Sequence, residues 1–250
     1  RHLYANTVKC LRVKDVCMQV ETVGKTANPE ELIFRAARQD YSSEYVYDHI
    51  VPTLLDGCAE DVSTVEDFIH KRLSRGEWGI LEHPTISFGI EGVSREVLAH
   101  FTRHRHLTFD VQSMRYVNMS DVDRDTYTTP EVFTNEEYAN RHGTVDIDNR
   151  SHAAQLYENE VQFSFETYTK LVESGVPKED ARKILPIATT VNLTVSGNAR
   201  AWCHVLNMRM KFNAQNETRD LADMIYDELA EWIPSVTSWY DEHGPLQTGP

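Results

Sequence analysis

The order of the periodic segments is the feature of this sequence that most restricts its fold. Between residues 154 and 172, apolar residues recur every three or four positions, which predicts a long amphipathic helix. Residues 84–90 and 189–195 instead show the pattern of strands. Because helices and strands mix without a regular βαβ alternation, the sequence predicts an α+β fold with a mixed or antiparallel sheet flanked by helices.

The other segments complete one predicted domain over residues 1–250. Residues 8–20 are rich in β-prone side chains and are predicted to form an opening strand. Further helices are predicted from Asn28-Pro29, over 61–73, after Ser94, from Pro177, over 198–210 and over 217–233. Residues 117–150 are polar and acidic, so we expect a loop or an insertion there.

Composition excludes several classes of function. The 39 acidic residues outnumber the 25 basic ones, a net charge of −14, so we expect no nucleic-acid partner and no anionic membrane surface as partner. The longest uncharged run, 184–199, contains Pro and Gly and is unsuited to crossing a bilayer. The four cysteines form no CxxC pair, which fits reduced thiols in a cytoplasmic protein and argues against a thiolate metal site.

The densest group of cations in this acidic chain lies between Arg103 and Arg115. The string RHRHLTFDVQSMR holds three arginines and two histidines. A guanidinium group presents paired donors that match a phosphate or a carboxylate, so the string is a candidate anion-binding site. The alternative is a solvated loop whose cations pair with some of the many acids.

The predicted helix over 198–210 carries a second group of cations. Arg200, His204 and Asn207 share one stripe of this helix, whereas Arg209 projects among apolar residues. A guanidinium on an apolar face is costly unless an anion or a set of acceptors meets it. The alternative is that Arg209 extends from the last helical turn to solvent.

Other chemistries have weaker support in the sequence. His100, His104 and His106 form an HxxxHxH pattern that suits a metal-dependent hydrolase, although the flanking arginines oppose a dication. Ser113 lacks the GxSxG context of an activated nucleophile. The chain has no Walker loop and no GxGxxG string, so a nucleotide would be held by arginines and helix ends.

Four separated blocks resemble the flavin-dependent thymidylate synthases. The family signature, RHR followed by seven residues and Ser, is present as Arg103-His104-Arg105 and Ser113, with Arg115-Tyr116 behind it. The other blocks are GILEH at 79–83, GVPKEDARKILP at 175–186, and the motif with NAR, His204, NMR, Ala-Gln and Glu217 over 198–217.

The resemblance implies reductive methylation of dUMP to dTMP. The carbon would come from 5,10-methylenetetrahydrofolate and the hydride from FAD reduced by NADPH, with release of tetrahydrofolate and no metal. It implies a homotetramer whose sites are built from several subunits. The implied dUMP-binding residues are His100, Arg103, Gln112, Ser113, Met114, Arg115, Arg182 and Arg209. The implied FAD-binding residues are His83, Thr85, Arg103, His104, Arg105, Asn198, Arg200 and His204.

Arg209 is the implied catalytic residue, because its charge would stabilise negative charge on the uracil ring. Two alternatives stay open. One is the metal-dependent hydrolase built on the three histidines. The other is a non-catalytic relative that binds flavin and nucleotide, suggested by His100 and Val111, which stand where the family often has an amide or an acid.

Overall fold

The computed structural model describes residues 10–13, 16–59, 61–120, 126–140 and 142–244. The strands are β1 (Cys10–Val13), β2 (Val16–Lys25), β3 (Thr85–Ser94), β4 (Thr108–Val111), β5 (Ala139–Asn140), β6 (Gly143–Thr144) and β7 (Thr190–Asn198). The helices are α1 (Pro29–Gln39), α2 (Val51–Asp56), α3 (Val65–Ser74), α4 (Arg95–Phe101), α5 (Arg150–Glu173), α6 (Lys178–Ala181), α7 (Ala199–Arg209), α8 (Asn216–Trp232) and α9 (Pro234–His243).

Five strands form one antiparallel sheet in the order β1-β2-β3-β7-β4, while β5 and β6 pair separately. The α+β prediction, with an antiparallel sheet flanked by helices, is confirmed. Burial alternates along the two central strands, so that one face of the sheet enters the core. The residues on that face are Ile86, Phe88, Ile90, Val191, Leu193 and Val195. Helices α4, α7 and α8 contact the sheet.

A smaller apolar cluster lies under α5. Phe165 and Tyr168 of this helix are fully buried and pack in one cluster with Met114 and Tyr127. The predicted helix over 154–172 is confirmed, and Gly175 follows it with a φ of 90°, a left-handed conformation that favours glycine. This cluster joins the segment after β4 to the segment that leads into α6.

The opening strand predicted over 8–20 is wrong in part. Val13 pairs with Val16, so two antiparallel strands, β1 and β2, are present where one strand is predicted. The charged pair Lys14-Asp15 interrupts the β-prone residues at this point. Residues 8–9 and 14–15 lie outside the described residues.

Two predicted helices differ at their boundaries. The helix predicted over 61–73 begins at Val65, because Thr64 accepts a hydrogen bond from the Asp67 amide and the Asp67 carboxylate accepts one from the Thr64 amide, each at 3.0 Å. The helix predicted from Pro177 is the single turn α6. Helices α2 and α9 have no counterpart among the predictions.

The predicted loop over 117–150 is irregular in most of its described part. It contains the short 3₁₀ helix Glu131–Phe133 and the pair β5–β6, while residues 121–125 and 141 lie outside the described residues. Residues 126–128 pair with 188–190 next to β7. None of the described helices is long and apolar enough to cross a membrane.

Candidate functional site

A group of cations lies where β3 leads into α4, and we call it the cationic cluster. Arg95, the first residue of α4, donates from Nη2 to the Gln112 carbonyl oxygen at 3.5 Å. Its Nε is buried and has no partner among the described residues. Burial and the charge of Arg182 lower the pKa of Arg95. The guanidinium groups of Arg95 and Arg182 are therefore close together, and neither forms a salt bridge within the described chain. Such a pair is suited to binding an anion.

The cationic cluster also contains Arg115. Its Nε and Nη2 each lie 2.9 Å from Oε2 of Glu179. The backbone carbonyl of Glu179 accepts a hydrogen bond from Arg182 Nε at 3.2 Å. The Arg115 amide donates to Ser113 Oγ at 3.3 Å. The segment after β4 and the segment around α6, which are far apart in the sequence, therefore meet in one place.

A second group surrounds Arg209, the last residue of α7, and we call it the histidine–arginine group. Arg209 donates from Nε to His104 Nε2 at 2.9 Å and from Nη2 to the His100 carbonyl oxygen at 2.8 Å. The rings of His104 and His204 lie 5.5 Å apart. Nη1 of Arg209 has no hydrogen-bond partner in the described part of the chain, so it can donate to a ligand. The sequence analysis expects an anion or a set of acceptors around Arg209, and His104 Nε2 and the His100 carbonyl oxygen are two such acceptors.

The electrostatics of the histidine–arginine group favour a neutral His104. Burial, with smaller contributions from Arg209 and His204, lowers the pKa of His104 to about 4. Because Nε2 accepts the hydrogen bond from Arg209, we assign the ring proton to Nδ1. Burial and the charge of Arg103 lower the pKa of Arg209, which nevertheless stays charged. His104 therefore fixes the direction of the guanidinium group.

A third group, the strand-end group, lies where β3 begins and β7 ends. Thr85 pairs with Asn198 in the sheet, and Asn198 Oδ1 accepts a hydrogen bond from the Ala201 amide at 2.8 Å, which caps α7. Arg200 Nη1 lies 2.5 Å from Glu82 Oε1. His83, directly after Glu82, is exposed.

The turn that carries the RHR signature lies near the strand-end group. Thr108 pairs with Ser196, two residues before the end of β7, and Arg103 and Arg105 on the turn are exposed. A Cβ atom at Gly197 would overlap the Leu107 side chain, so glycine lets the turn pack against β7. Exposed guanidinium groups therefore lie close to the polar end of the central strands.

Comparison with known proteins assigns the family. The family model described as thymidylate synthase complementing protein matches residues 21–235. A flavin-dependent thymidylate synthase of Halobacterium salinarum is 39% identical over 236 residues, which cover 90% of this chain and 95% of the relative. One from Haloarcula marismortui is 36% identical over 237 residues, covering 90% and 96%. The chain belongs to the flavin-dependent thymidylate synthase family.

The fold also matches a solved structure. The crystal structure of PolB, a UMP/dUMP methylase from Streptomyces cacaoi bound with 5-Br dUMP, superposes with a TM-score of 0.77 at 20% identity. The match covers 92% of this chain and 97% of PolB. The family match and the relatives confirm that the four sequence blocks resemble those of flavin-dependent thymidylate synthases. They also confirm that the chain belongs to this family of enzymes.

Within this flavin-dependent thymidylate synthase fold, the predicted dUMP-binding residues divide between two groups. Gln112, Ser113, Arg115 and Arg182 belong to the cationic cluster, whereas His100 and Arg209 belong to the histidine–arginine group, next to Arg103. The side chain of Met114 is 7% exposed and packs in the smaller apolar cluster, which leaves only its backbone for a ligand.

The predicted FAD-binding residues lie in three places, one of which is the RHR turn with the exposed Arg103 and Arg105. Thr85, Asn198 and Arg200 lie at the strand end with His83, while His104 and His204 lie beside Arg209. The three histidines of the hydrolase alternative do not form a ligand set. Among the described residues, no group of three His, Cys, Asp or Glu side chains is placed to hold a metal ion, and Nε2 of His104 is bonded to Arg209.

Two charged residues of the candidate site, Arg95 and Glu179, are absent from the residues predicted from the sequence. Arg95 had no anion-binding pattern around it, and only the return of the chain after β4 brings Gln112 to it. Its position as the first residue after the helix cap Ser94 was the available signal, because donors gather at helix starts. Glu179 lies inside a block that resembles the family, but nothing in the sequence indicates its pairing with Arg115.

The low pKa of His104 predicts a pH-dependent stability. The pKa is about 4 in the folded chain against an ordinary value of 6.5, so the unfolded chain binds the proton more readily. The contribution to stability is complete above pH 6.5 and is lost as the pH falls from 6.5 towards 4. Between pH 7 and pH 5 we expect His104 to remove about 2 kcal/mol from the free energy of unfolding.

Urea unfolding of the wild type and of His104→Gln at both pH values measures this contribution. The Gln side chain does not titrate, but its Oε1 can still accept the hydrogen bond from Arg209. We expect the wild type to lose about 2 kcal/mol more than the variant between pH 7 and pH 5. Equal losses in the two proteins would show that His104 is not buried as a neutral ring.

Proposed function

We propose that this chain methylates dUMP to dTMP. The carbon donor is 5,10-methylenetetrahydrofolate, FAD reduced by NADPH provides the hydride, and tetrahydrofolate is released. The observation that carries the proposal is the cationic cluster, an anion-binding arrangement in a member of the flavin-dependent thymidylate synthase family. The similarity of the fold to a UMP/dUMP methylase bound with 5-Br dUMP supports the same substrate.

In this proposal, the phosphate of dUMP binds the cationic cluster. Arg95 and Arg182 have no carboxylate partner among the described residues, so a phosphate oxygen supplies the missing acceptor. Arg115 joins them once the phosphate competes with Glu179, since that exposed ion pair contributes little free energy. The Ser113 hydroxyl and the backbone at Gln112 and Met114 complete the contacts to the nucleotide.

Arg209 acts on the uracil ring in this proposal. Its Nε and Nη2 are held by His104 and by the His100 carbonyl, which leaves Nη1 for a ring oxygen. A guanidinium fixed in a partly buried site stabilises negative charge as N3–H ionises or as the ring becomes enolate-like. His100 and Arg103 lie close to the same nucleotide in this arrangement.

The strand-end group and the RHR turn fit the chemistry of FAD. A diphosphate needs cationic donors, and Arg103, Arg105 and Arg200 are exposed around the polar ends of β3 and β7. Thr85 and Asn198 add hydroxyl and amide groups. We assign His83, His104 and His204 to the neighbourhood of the flavin ring. When bound, the flavin supplies the hydride chemistry, which no side chain of this chain can perform.

Removal of one strand-end cation tests the flavin site. We expect Arg200→Ala to be purified with about 10-fold less FAD than the wild type, because a charge-assisted hydrogen bond to phosphate contributes about 1.5–3 kcal/mol. The absorbance of the flavin per mole of protein is the measurement. Arg75→Ala, which removes an exposed arginine after α3, is the matched control and should retain its flavin. Full occupancy in Arg200→Ala would contradict the assignment.

We also propose a homotetramer with shared sites. Thr85 pairs with Asn198 at one end of β3, and Ser94 pairs with Thr190 at the other. At about 3.4 Å per residue, the strand-end group and the cationic cluster are separated by about 30 Å. This separation supports a site in which the two groups come from different subunits.

Mixing two impaired variants tests the shared site. Arg200→Ala lacks a strand-end cation, and Arg95→Ala lacks part of the cationic cluster. If one site takes these groups from two subunits, unfolding and refolding the two variants together restores about a quarter of the wild-type activity. With FAD and dUMP held well below their wild-type Kd values, each variant refolded alone keeps about a tenth of the wild-type activity or less, which is below the expected recovery. No recovery in the mixture, or a monomer with full activity in sedimentation, would contradict the shared site.

The visible spectrum of the purified protein tests the proposed function as a whole. We expect a yellow protein whose flavin is bleached by NADPH under anaerobic conditions, and bleached faster when dUMP is present. A protein that stays colourless after FAD is supplied would overturn the proposal. Bleaching without formation of dTMP would indicate the non-catalytic relative that the positions of His100 and Val111 suggest.

A further inference from the structure

A carboxylate on α8 holds the start of α4. Glu217, the second residue of α8, accepts two hydrogen bonds from Ser94. Its Oε1 lies 2.6 Å from the Ser94 amide nitrogen, and its Oε2 lies 2.8 Å from Ser94 Oγ. Ser94 is 1% exposed. Both carboxylate oxygens of Glu217 are thus bonded to the single residue that links β3 to α4.

The same serine caps α4. Ser94 Oγ accepts a hydrogen bond from the Val97 amide at 3.2 Å, so the hydroxyl donates to Glu217 and accepts from the helix at once. The next amide, that of Arg95, donates to the Thr189 carbonyl at 3.0 Å. The first turn of α4 is therefore fixed by α8 on one side and by the segment before β7 on the other.

This helix start carries the residue that we assign to the phosphate of dUMP. Arg95 directly follows Ser94, and its guanidinium is the half-buried one beside Arg182. The far end of α4 carries His100, whose carbonyl holds Arg209. A change in the position of α4 therefore reaches both groups, and small displacements of binding groups have large effects on a reaction.

Helix stability alone does not explain the choice of a carboxylate at this position. Burial raises the pKa of Glu217, and the nearby charge of Glu96 acts in the same direction, whereas the hydrogen bonds from Ser94 lower it. Neither of these carboxylates forms a salt bridge within the described residues. A partly buried carboxylate with no cation beside it is costly, so a role in orienting other groups is the better explanation.

We propose that Glu217 is a positioning residue, which through Ser94 holds Arg95 in the orientation that binds the phosphate of dUMP. Glu217 itself contacts neither the nucleotide nor the flavin. The proposal rests on the proposed function, since Arg95 must be a phosphate ligand for Glu217 to act through it. It also assigns a task to the glutamate of the last sequence block, which the proposed function leaves without one.

Calorimetric titration of the FAD-loaded protein with dUMP tests the proposal. We expect Glu217→Gln to weaken dUMP binding about 10-fold, with the FAD content unchanged, because an amide can accept only one of the two hydrogen bonds. Ser94→Ala removes the hydroxyl contact but keeps the carboxylate, and should weaken binding in the same direction. Glu96→Gln, a neighbouring acid outside the hydrogen-bonded chain, is the matched control and should bind dUMP normally.

The double variant Glu217→Gln/Arg95→Ala distinguishes a role in positioning Arg95 from a role only in the stability of the fold. If Glu217 acts through Arg95, adding Glu217→Gln to Arg95→Ala causes no further loss of dUMP affinity. The same 10-fold loss in both backgrounds would overturn the proposal, as would a lower unfolding temperature for Glu217→Gln with unchanged affinity. A wild type without affinity for dUMP would instead refute the proposed function, and the positioning role with it.

Discussion

Arg209→Ala is expected to lower kcat for dTMP formation by about 10²–10³-fold, or about 3–4 kcal/mol, while the flavin content stays normal. The reason is the arrangement of the guanidinium, which His104 and the His100 carbonyl hold at fixed points while Nη1 is left for the uracil ring. Truncation removes a charge that acts as negative charge develops on the ring. Steady-state assays of dTMP and the visible spectrum of the same preparation provide the measurement.

Two further variants define the role of Arg209. Arg209→Lys keeps the charge but loses the planar fork, so we expect most of the loss to remain. Arg219→Ala removes an arginine of α8 that donates to the Phe212 carbonyl, outside the histidine–arginine group, and should turn over normally. Turnover of Arg209→Ala close to that of the wild type would show that Arg209 has no part in the chemistry.

Arg95→Ala is expected to weaken dUMP binding by about 10- to 100-fold, the effect of losing a charge-assisted hydrogen bond to phosphate. The same change should leave the ligand-free protein equally stable or more stable. The stability is not expected to fall, because Arg95 is half-buried beside the charge of Arg182 and its Nε has no partner among the described residues. Calorimetric titration with dUMP and thermal unfolding without ligand measure the two effects.

The chain offers a close control for Arg95. Arg38 on α1 also has a buried Nε without a partner in the described part of the chain, but it lies outside the cationic cluster. Arg38→Ala should therefore bind dUMP as the wild type does. The assignment of Arg95 to the phosphate would be contradicted if both variants lost affinity equally, or if neither did.

Much of the fold follows from local patterns in the sequence. Apolar and polar residues alternate along β3 and β7, and apolar residues form a stripe along α5. These patterns are clear in the sequence because each element buries one face. The pairing of β1 with β2 is not predicted, because the β-prone residues on both sides of Lys14-Asp15 read as one strand when this short charged interruption is given no weight. Helix α9 has no counterpart among the predictions, although Pro234 is a local signal for it, because proline is favoured in the first helical turn.

The candidate site could be predicted only where the charge pattern is local. The signature from Arg103 to Ser113 and the apolar surroundings of Arg209 indicated anion-binding groups, and the structure supplies the acceptors around Arg209. The side chain of Arg95 bonds to the Gln112 carbonyl after β4 and lies beside the like charge of Arg182, and no pattern within α4 indicates either neighbour. The contact between Glu217 and Ser94 joins residues 123 positions apart, which only the packing of α8 against α4 brings together.

The proposed methylation of dUMP is tested most directly by following an isotopically labelled carbon from 5,10-methylenetetrahydrofolate into dTMP. The FAD-loaded protein would be incubated anaerobically with NADPH, dUMP and 5,10-methylenetetrahydrofolate labelled at the methylene carbon, and the nucleotide analysed by mass spectrometry. We expect dTMP that carries the label in its methyl group, together with unlabelled tetrahydrofolate, and no dTMP when NADPH is left out. Oxidation of NADPH with dUMP recovered unchanged would contradict the proposed function.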